Sequence, residues 1–158
     1  MAHTPQAKYR KDYQSPSHTI SDLDLTFDLH DNATLVTAVS QVKQQLDSRT
    51  LNLEGDNVEL KSISVNGEEW SDYTIHPASL EIANLPSEFE LVIVTLIDPE
   101  ANSALEGLYK SGGAFCTQCE AEGFRRITYY MDRPDVLAKF TTTVIADKAQ
   151  YPFLLSNG

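Results

Sequence analysis

The stretch that decides the fold is Leu23-Asp24-Leu25-Thr26-Phe27-Asp28-Leu29, in which apolar and polar residues alternate. Successive side chains of a β-strand point to opposite faces, so this two-residue period predicts a strand with one buried face. Asp31-Asn32 then supplies turn residues, and the run Thr34–Val42 follows. Because that run is rich in β-branched residues, we predict that it pairs with the first strand as a hairpin.

Working outward from this hairpin, five more segments show strand signals. Phe89–Ile97 is the most apolar, and its centre predicts a strand covered on both faces. Asn66-Gly67 predicts a tight hairpin turn, since both residues tolerate a positive φ. The other predicted strands are Val58–Val65, Leu80–Ile82, Thr141–Ala146 and Tyr151–Leu155. The predicted fold class is therefore mainly β, with antiparallel strands in curved or packed sheets.

Helix signals are weak and confined to one or two short turns. One turn is predicted at residues 132–137, where Asp132 can cap and Pro134 stands near the first helical position, and the other near residues 120–125. Gln41–Leu46 is compatible with a helix, but we favour continuation of the strand. The polar stretch 1–16 has no periodicity and predicts an arm, which leaves residues 17–158 as a single β domain. Because Asn157-Gly158 is a hairpin-turn signal without a returning strand, we expect a truncated part of a longer protein.

Charge and composition narrow the class of partner. The 158 residues include 23 acidic and 12 basic side chains, which gives a net charge of −11. That charge repels phosphate, so it argues against nucleic acid and anionic membranes and suits a peptide with a free amine. No signal peptide is visible, and no apolar run approaches the ~20 residues of a membrane helix. With only two cysteines and no disulfide framework, we expect a cytoplasmic protein.

Residues 105–135 include the side chains most relevant to chemistry. They read Leu105-Glu106-Gly107-Leu108-Tyr109, Ser111-Gly112-Gly113, Cys116-Thr117-Gln118-Cys119-Glu120-Ala121-Glu122-Gly123-Phe124-Arg125 and Tyr129-Tyr130-Met131-Asp132-Arg133-Pro134-Asp135. The C-x-x-C pair supplies two ligands, whereas a structural zinc site needs four, and no histidine has a companion at ligand spacing. A redox pair would open a helix within a βαβ pattern, which this β-rich stretch lacks. Two small, partly buried thiols are the simplest interpretation.

Glu120 and Glu122 flank Ala121 in a stretch with glycines on both sides. In a strand these two carboxylates would share a face, and in a loop they could converge on a cation; a solvated surface pair is the alternative. No Ser-His-Asp signature, Gly-rich phosphate loop or H-E-x-x-H motif is present. We therefore predict that this chain contains no catalytic residue and no metal ligand.

The run Leu105–Asp135 closely resembles the amino-terminal domain of the aminopeptidase N family of Gram-negative bacteria, a group of gluzincin zinc metallopeptidases. The similarity spans essentially the whole chain and is loosest between Lys43 and Ser79. The other matching segments are Pro5–Arg10, Asp12-Tyr13, Asp24–Leu29, Val36–Ser40 and Tyr151–Gly158.

This resemblance implies a saddle-shaped β domain resting on a thermolysin-like catalytic domain, which holds zinc through H-E-x-x-H and a distant Glu and contains a G-A-M-E-N motif. Neither motif occurs here, so we expect no cofactor in this fragment, zinc in the full-length parent, and an inactive fragment. Gln118 and Glu120 match the family positions that hold the free N-terminus of a peptide substrate. Glu122 matches no such role. One face of the fragment should be apolar, where the missing catalytic domain would pack.

Two rival functions remain open from the sequence. One is a free-standing β-sandwich that binds a protein or sugar partner. The other is a small redox protein that uses Cys116 and Cys119. Thiols of ordinary pKa would argue against this second alternative.

Overall fold

The computed structural model describes residues 9–156 and confirms the mainly β fold. Its strands are β1 (His18–Asp28), β2 (Thr34–Gln44), β3 (Leu51–Glu54), β4 (Glu59–Val65), β5 (Glu68–Glu69), β6 (Tyr73–His76), β7 (Ser79–Ile82), β8 (Glu88–Ile97), β9 (Gly107–Ser111), β10 (Ala114–Gln118) and β11 (Lys139–Ile145). Short 3₁₀ helices span Arg10–Asp12 and Phe124–Arg126. A six-stranded sheet has the order β11-β1-β2-β8-β4-β5, beside the sheet β3-β7-β6 and the hairpin β9-β10.

The predicted hairpin forms the centre of the large sheet. β1 and β2 pair antiparallel, with Leu25 opposite Ala38, and the strand does continue to Gln44. Leu23, Leu25 and their neighbours on the same face are buried, as the alternating pattern predicts. The buried Thr34 closes the connecting loop, because its hydroxyl donates to the carbonyl of His30 (2.6 Å) and accepts from the same residue's N–H (3.0 Å).

The other edge of β2 pairs antiparallel with β8 along nearly its whole length. Leu91 and Ile93 lie on the fully buried face of β8, whereas Val92 and Val94 on the opposite face are only half-buried. The prediction that this strand is covered on both faces was therefore too strong, because the second face has partial cover only. β8 also pairs with β4, which turns into β5 through Asn66-Gly67. Both turn residues have a positive φ, 52° and 81°, as predicted.

The sheet β3-β7-β6 supplies a second wall of the core. Leu51, Leu53, Leu80 and Ile82 from β3 and β7 are almost completely buried. β6, by contrast, is exposed along its length. The sequence analysis predicted β7 but neither β3 nor β6.

β11 lies where a strand is predicted, but it pairs with β1 in parallel, because the chain returns to the sheet by a long crossover and not by a hairpin. Two local predictions were wrong. Residues 151–155 form no strand; Tyr151 instead packs its ring on Phe115 (5.1 Å between centroids) and donates its hydroxyl to Asp31 (2.9 Å). Asp132 opens a simple turn rather than a helical one, because its carboxylate accepts from the backbone and side chain of Arg125.

The end of the predicted arm contacts the domain. The Tyr13 hydroxyl donates to Asp135 (2.9 Å), and the Arg133 guanidinium donates to the carbonyl of Gln14 (2.8 Å). The rest of the predicted arm, residues 1–8, and the Asn157-Gly158 turn signal lie outside the described residues. Among residues 9–156, no helix is long and apolar enough to cross a membrane.

Candidate functional site

The hairpin β9-β10 and the turn that follows it bring the predicted site residues to the surface. Gly112 and Gly113, with φ of 58° and 84°, form the tip of the hairpin. At the other end, Gln118 pairs with Gly107 and is the last residue of β10. The chain then turns through residues 120–123 before the 3₁₀ helix Phe124–Arg126. The predicted pair Gln118 and Glu120 therefore lies where a strand ends and a tight turn begins.

Gln118 and Glu120 are both exposed, and they are linked to each other. The Gln118 Nε2 donates to the backbone carbonyl of Glu120 (3.1 Å). This bond orients the amide, and no hydrogen bond among residues 9–156 engages the Gln118 Oε1, which can therefore accept from a ligand. Within residues 9–156, no hydrogen bond or ion pair engages the Glu120 carboxylate. The two residues together offer a negative charge and a neutral acceptor on one short segment.

Glu122 has a different environment from Glu120. Its Oε2 lies 3.7 Å from the Arg125 guanidinium, in an i,i+3 ion pair, and its side chain is 63% exposed. The structure therefore separates the two acids that flank Ala121, one without a partner among the described residues and one paired.

Arg125 connects the turn to the body of the domain, a role that the sequence analysis did not assign. Its Nε donates to the Asp132 carboxylate (2.9 Å) and one terminal nitrogen donates to the Asp132 carbonyl (3.2 Å). The Asp132 N–H donates in turn to Glu54 (3.1 Å). Burial opposes the charge of Arg125, but hydrogen bonding to Asp132 and the charges of Glu122 and Asp132 leave the guanidinium pKa above its usual value. The i,i+3 spacing of Glu122 and Arg125 is compatible with their own ion pair, but no local signal in the sequence points from Arg125 to Asp132.

The two cysteines do not resemble a redox pair. Cys116 and Cys119 are free and half-buried. Burial, and then the charge of Asp132, raises the pKa of the Cys119 thiol. A reactive thiol needs the opposite shift, because the thiolate is the nucleophile. This finding disfavours the redox alternative.

The described residues do not fit a zinc site. No three His, Cys, Asp or Glu side chains between residues 9 and 156 converge at metal-binding distance. His18 is buried, with its Nδ1 2.9 Å from the Ser17 hydroxyl, and burial lowers its pKa. His30 lies beside Asp28 at the surface, and His76 is exposed.

An apolar groove of about 640 Å³ lies next to the site. β1 and β11 line one side of this groove, β10 lines another, and residues 151–156 border it. Phe140, on β11, is 48% exposed, and Phe153 is 87% exposed. β11 itself hydrogen-bonds to β1 on one edge only within the described chain. The domain thus presents an apolar surface beside an open strand edge, close to the segment that holds Gln118.

The comparisons with known proteins agree with the resemblance described above. A sequence model of the Peptidase M1 N-terminal domain family matches residues 11–158. Aminopeptidase N from Escherichia coli strain K12 is 57% identical over 159 residues, covering 100% of this chain and 18% of that protein. The chain therefore spans less than a fifth of the length of this relative.

Solved structures show the same domain. The chain superposes on Legionella pneumophila aminopeptidase A, solved in complex with aspartic acid, with a TM-score of 0.89 and 35% identity, covering 96% of this chain and 18% of that one. A mutant M1 zinc metallopeptidase from Deinococcus radiodurans, bound to a Tyr-Ser-Ala substrate, gives a TM-score of 0.69 at 16% identity, covering 81% and 32%, which indicates the shared fold alone. With residues 11–158 matched and the E. coli relative covering the whole chain, this protein belongs to the peptidase M1 N-terminal domain family, as the resemblance to the amino-terminal domain of bacterial aminopeptidase N predicts.

Proposed function

We propose that this chain forms the amino-terminal part of a cytoplasmic zinc aminopeptidase that removes N-terminal amino acids from peptides. In this proposal Gln118 and Glu120 bind the free α-amine of the substrate. The observation that supports it is the Glu120 carboxylate without a partner among residues 9–156, next to a Gln118 amide that donates to the Glu120 carbonyl. The relatives are aminopeptidases and zinc metallopeptidases, and one of them was solved with a peptide substrate.

The chemistry of the two residues fits the task of an exopeptidase, which must distinguish a chain end from an internal peptide bond. An α-ammonium group carries a positive charge and three protons. An internal peptide nitrogen is uncharged and carries at most one proton. A carboxylate facing the ammonium forms a charge-assisted hydrogen bond, which is stronger than a neutral one. The Gln118 Oε1 can accept a second ammonium proton. Together they favour a free N-terminus over an internal position.

The apolar groove and the open edge of β11 supply the second part of the proposal. Exposed apolar surface of this kind usually marks an interface, and Phe140 and Phe153 lie on it. We assign this surface to contact with a thermolysin-like catalytic domain, which would hold the zinc and the catalytic groups. Gln118 and Glu120 are exposed in this chain, so that contact would also exclude water from them. The isolated chain should therefore have no peptidase activity.

The test is Glu120→Gln in the full-length enzyme, since this change keeps the shape of the side chain but removes its charge. Loss of one partner of a desolvated charge pair costs about 2–5 kcal/mol. We therefore expect kcat/KM for substrates with a free N-terminus to fall roughly 30-fold to several-thousand-fold. Zinc content should stay unchanged, because Glu120 is not a metal ligand in this proposal.

Glu122→Gln is the matched control, because Glu122 lies two residues away but pairs with Arg125 at the surface. It should change kcat/KM little. Both variants can be measured with one chromogenic amino-acid amide. If Glu120→Gln keeps near-normal kcat/KM, or if Glu122→Gln is the more damaging change, the assignment of Glu120 is wrong even though the family is right.

A further inference from the structure

A buried glycine lies directly behind the proposed amine site. Gly123 ends the turn after Glu120, and its N–H donates to the carbonyl of Cys119 (2.9 Å). A Cβ placed on Gly123 would lie only 2.4 Å from the backbone oxygen of Gln118, and 3.1 Å from the Cα of Cys119. Such a contact cannot exist without a shift of the backbone. The φ of Gly123 is −82°, which any residue adopts, so close packing rather than backbone conformation requires glycine here.

A second glycine faces the first across the end of the hairpin. Gly107, with φ of 70°, pairs with Gln118 in the register of β9 and β10. A Cβ on Gly107 would lie 2.7 Å from the Cβ of Arg126 and 3.1 Å from the carbonyl oxygen of Gly123. The end of β10 is thus enclosed between β9 and the 3₁₀ helix, with no room for a side chain on either glycine.

The 3₁₀ helix behind Gly123 is held firmly on its other side. The Arg125 carbonyl accepts from the Asp56 N–H (2.9 Å), and Arg126 pairs with the Asp56 carboxylate (2.6 Å). Just beyond the helix, the Ile127 carbonyl accepts from the buried hydroxyl of Thr95 in β8 (3.0 Å). A methyl group added at Gly123 would therefore displace the exposed end of β10, which includes Gln118, rather than the anchored helix.

We propose that Gly123 is a positioning residue, which fixes where Gln118 and Glu120 present their acceptors to the substrate amine. This inference rests on the proposed function of those two residues. In this role Gly123 does not contact the substrate. It acts through the backbone carbonyl of Gln118, because the Gly123 Cα lies too close to that oxygen to carry a side chain.

The test compares Gly123→Ala with Gly55→Ala in the full-length enzyme. Gly55 is also buried, and its added Cβ would lie 2.3 Å from the Tyr129 ring, so this control creates a similar clash away from Gln118. The readout is competitive inhibition by a free amino acid and by the carboxylic acid that differs only in lacking the α-amine. An error of 1 Å in placement can cost about a hundredfold. We expect Gly123→Ala to weaken inhibition by the amino acid about tenfold or more, and to leave inhibition by the amine-free acid unchanged.

Gly55→Ala should leave the ratio of the two inhibition constants unchanged, even where it lowers the unfolding temperature. If Gly123→Ala leaves the ratio unchanged, or if both glycine variants change it equally, Gly123 is not a positioning residue. Should Gly123→Ala fail to fold, Arg125→Lys loosens the same turn without a clash, and a ratio unchanged in that variant overturns the proposal. Glu120→Gln is measured alongside. If this variant leaves the ratio of the inhibition constants unchanged, the proposed function itself fails. If the ratio changes in Glu120→Gln but not in Gly123→Ala, only the positioning role is refuted.

Discussion

The centre of the large sheet and the segment from Gly107 to Asp132 are built by different rules. In β2, in β8 and in β1 from Leu23 onward, every second side chain is buried, and the backbone follows from that alternation. In the second segment, the geometry depends on side chains that are absent, at Gly107 and Gly123, and on the ion pair of Arg125 with Asp132. The structure of the first region is determined by its buried side chains. The structure of the second is determined by two positions that have no room for a side chain and by an ion pair.

If Gln118 and Glu120 bind the substrate amine, as proposed, this difference bears on why the site lies in the second region. A turn held from behind by close backbone contacts leaves its outward side chains available. Gln118 and Glu120 therefore gain a fixed position without being consumed in packing.

The largest effect that would test this comparison is expected from a cavity in the large sheet. Leu91→Ala in β8 removes a side chain that is 1% exposed, and such changes typically cost 2–5 kcal/mol. We expect the free energy of unfolding of this chain, measured in urea, to fall by about that amount. Val92→Ala on the half-buried face of the same strand is the control and should cost clearly less. Equal losses would show that the two faces of β8 contribute alike.

A smaller effect is expected from the brace of the turn. Arg125→Ala leaves the Asp132 carboxylate, whose side chain is 12% exposed, without its ionic partner. A partly buried group that loses its hydrogen bonds costs about 1–3 kcal/mol. Thermal or urea unfolding of the chain measures this loss. Lys43→Ala, which breaks the exposed pair with Glu88, should change stability by less than about 1 kcal/mol; a similar loss in both variants would mean that Arg125 is an ordinary surface residue.

The smallest expected effect concerns the contact between residues 13–14 and the segment after the turn. Hydrogen bonding to Arg133, assisted by Tyr13, lowers the pKa of Asp135 to about 2 from its ordinary 3.8. Because the pKa is lower in the folded state, this pair stabilises the fold above pH 3.8, and the contribution is lost as the pH falls towards 2. The pair is partly exposed, so its contribution is at most about 1 kcal/mol.

Asp135→Asn tests this contribution. The variant should be slightly less stable than the unchanged chain at pH 7, and the difference should vanish near pH 2. Urea unfolding at both pH values measures it. A stability difference that persists at pH 2 would assign the effect to packing rather than to the charge of Asp135.

The parts of the fold that follow from side-chain period could be predicted, and those that depend on distant contacts could not. The strand over Leu23–Leu29, its hairpin partner and the turn at Asn66-Gly67 are local features, and all are present. The parallel pairing of β11 and the absence of a strand at residues 151–155 depend on where the chain returns after a long crossover. No periodic pattern encodes that path.

The site shows the same division. The resemblance of residues 105–135 to a known family singled out Gln118 and Glu120 as candidates for binding an amine. The sequence could not show that Gly123 packs against the Gln118 carbonyl. A contact that excludes a side chain is marked in the sequence only by the glycine itself. Nor could it show that Glu122 pairs with Arg125 while Glu120 does not.

The position of β1 between β2 and β11 has a consequence for the order of folding. Leu23 pairs with Ser40 on one edge, through a short hairpin, and with Phe140 on the other, after most of the chain has intervened. The first pairing closes a small loop and is entropically cheap, whereas the second must wait for a large loop to close. We therefore expect the two edges of one strand to form at different times. Because Gln118 and Glu120 lie inside the larger loop, the segment proposed to bind the amine should reach its final place on the sheet only with that late pairing.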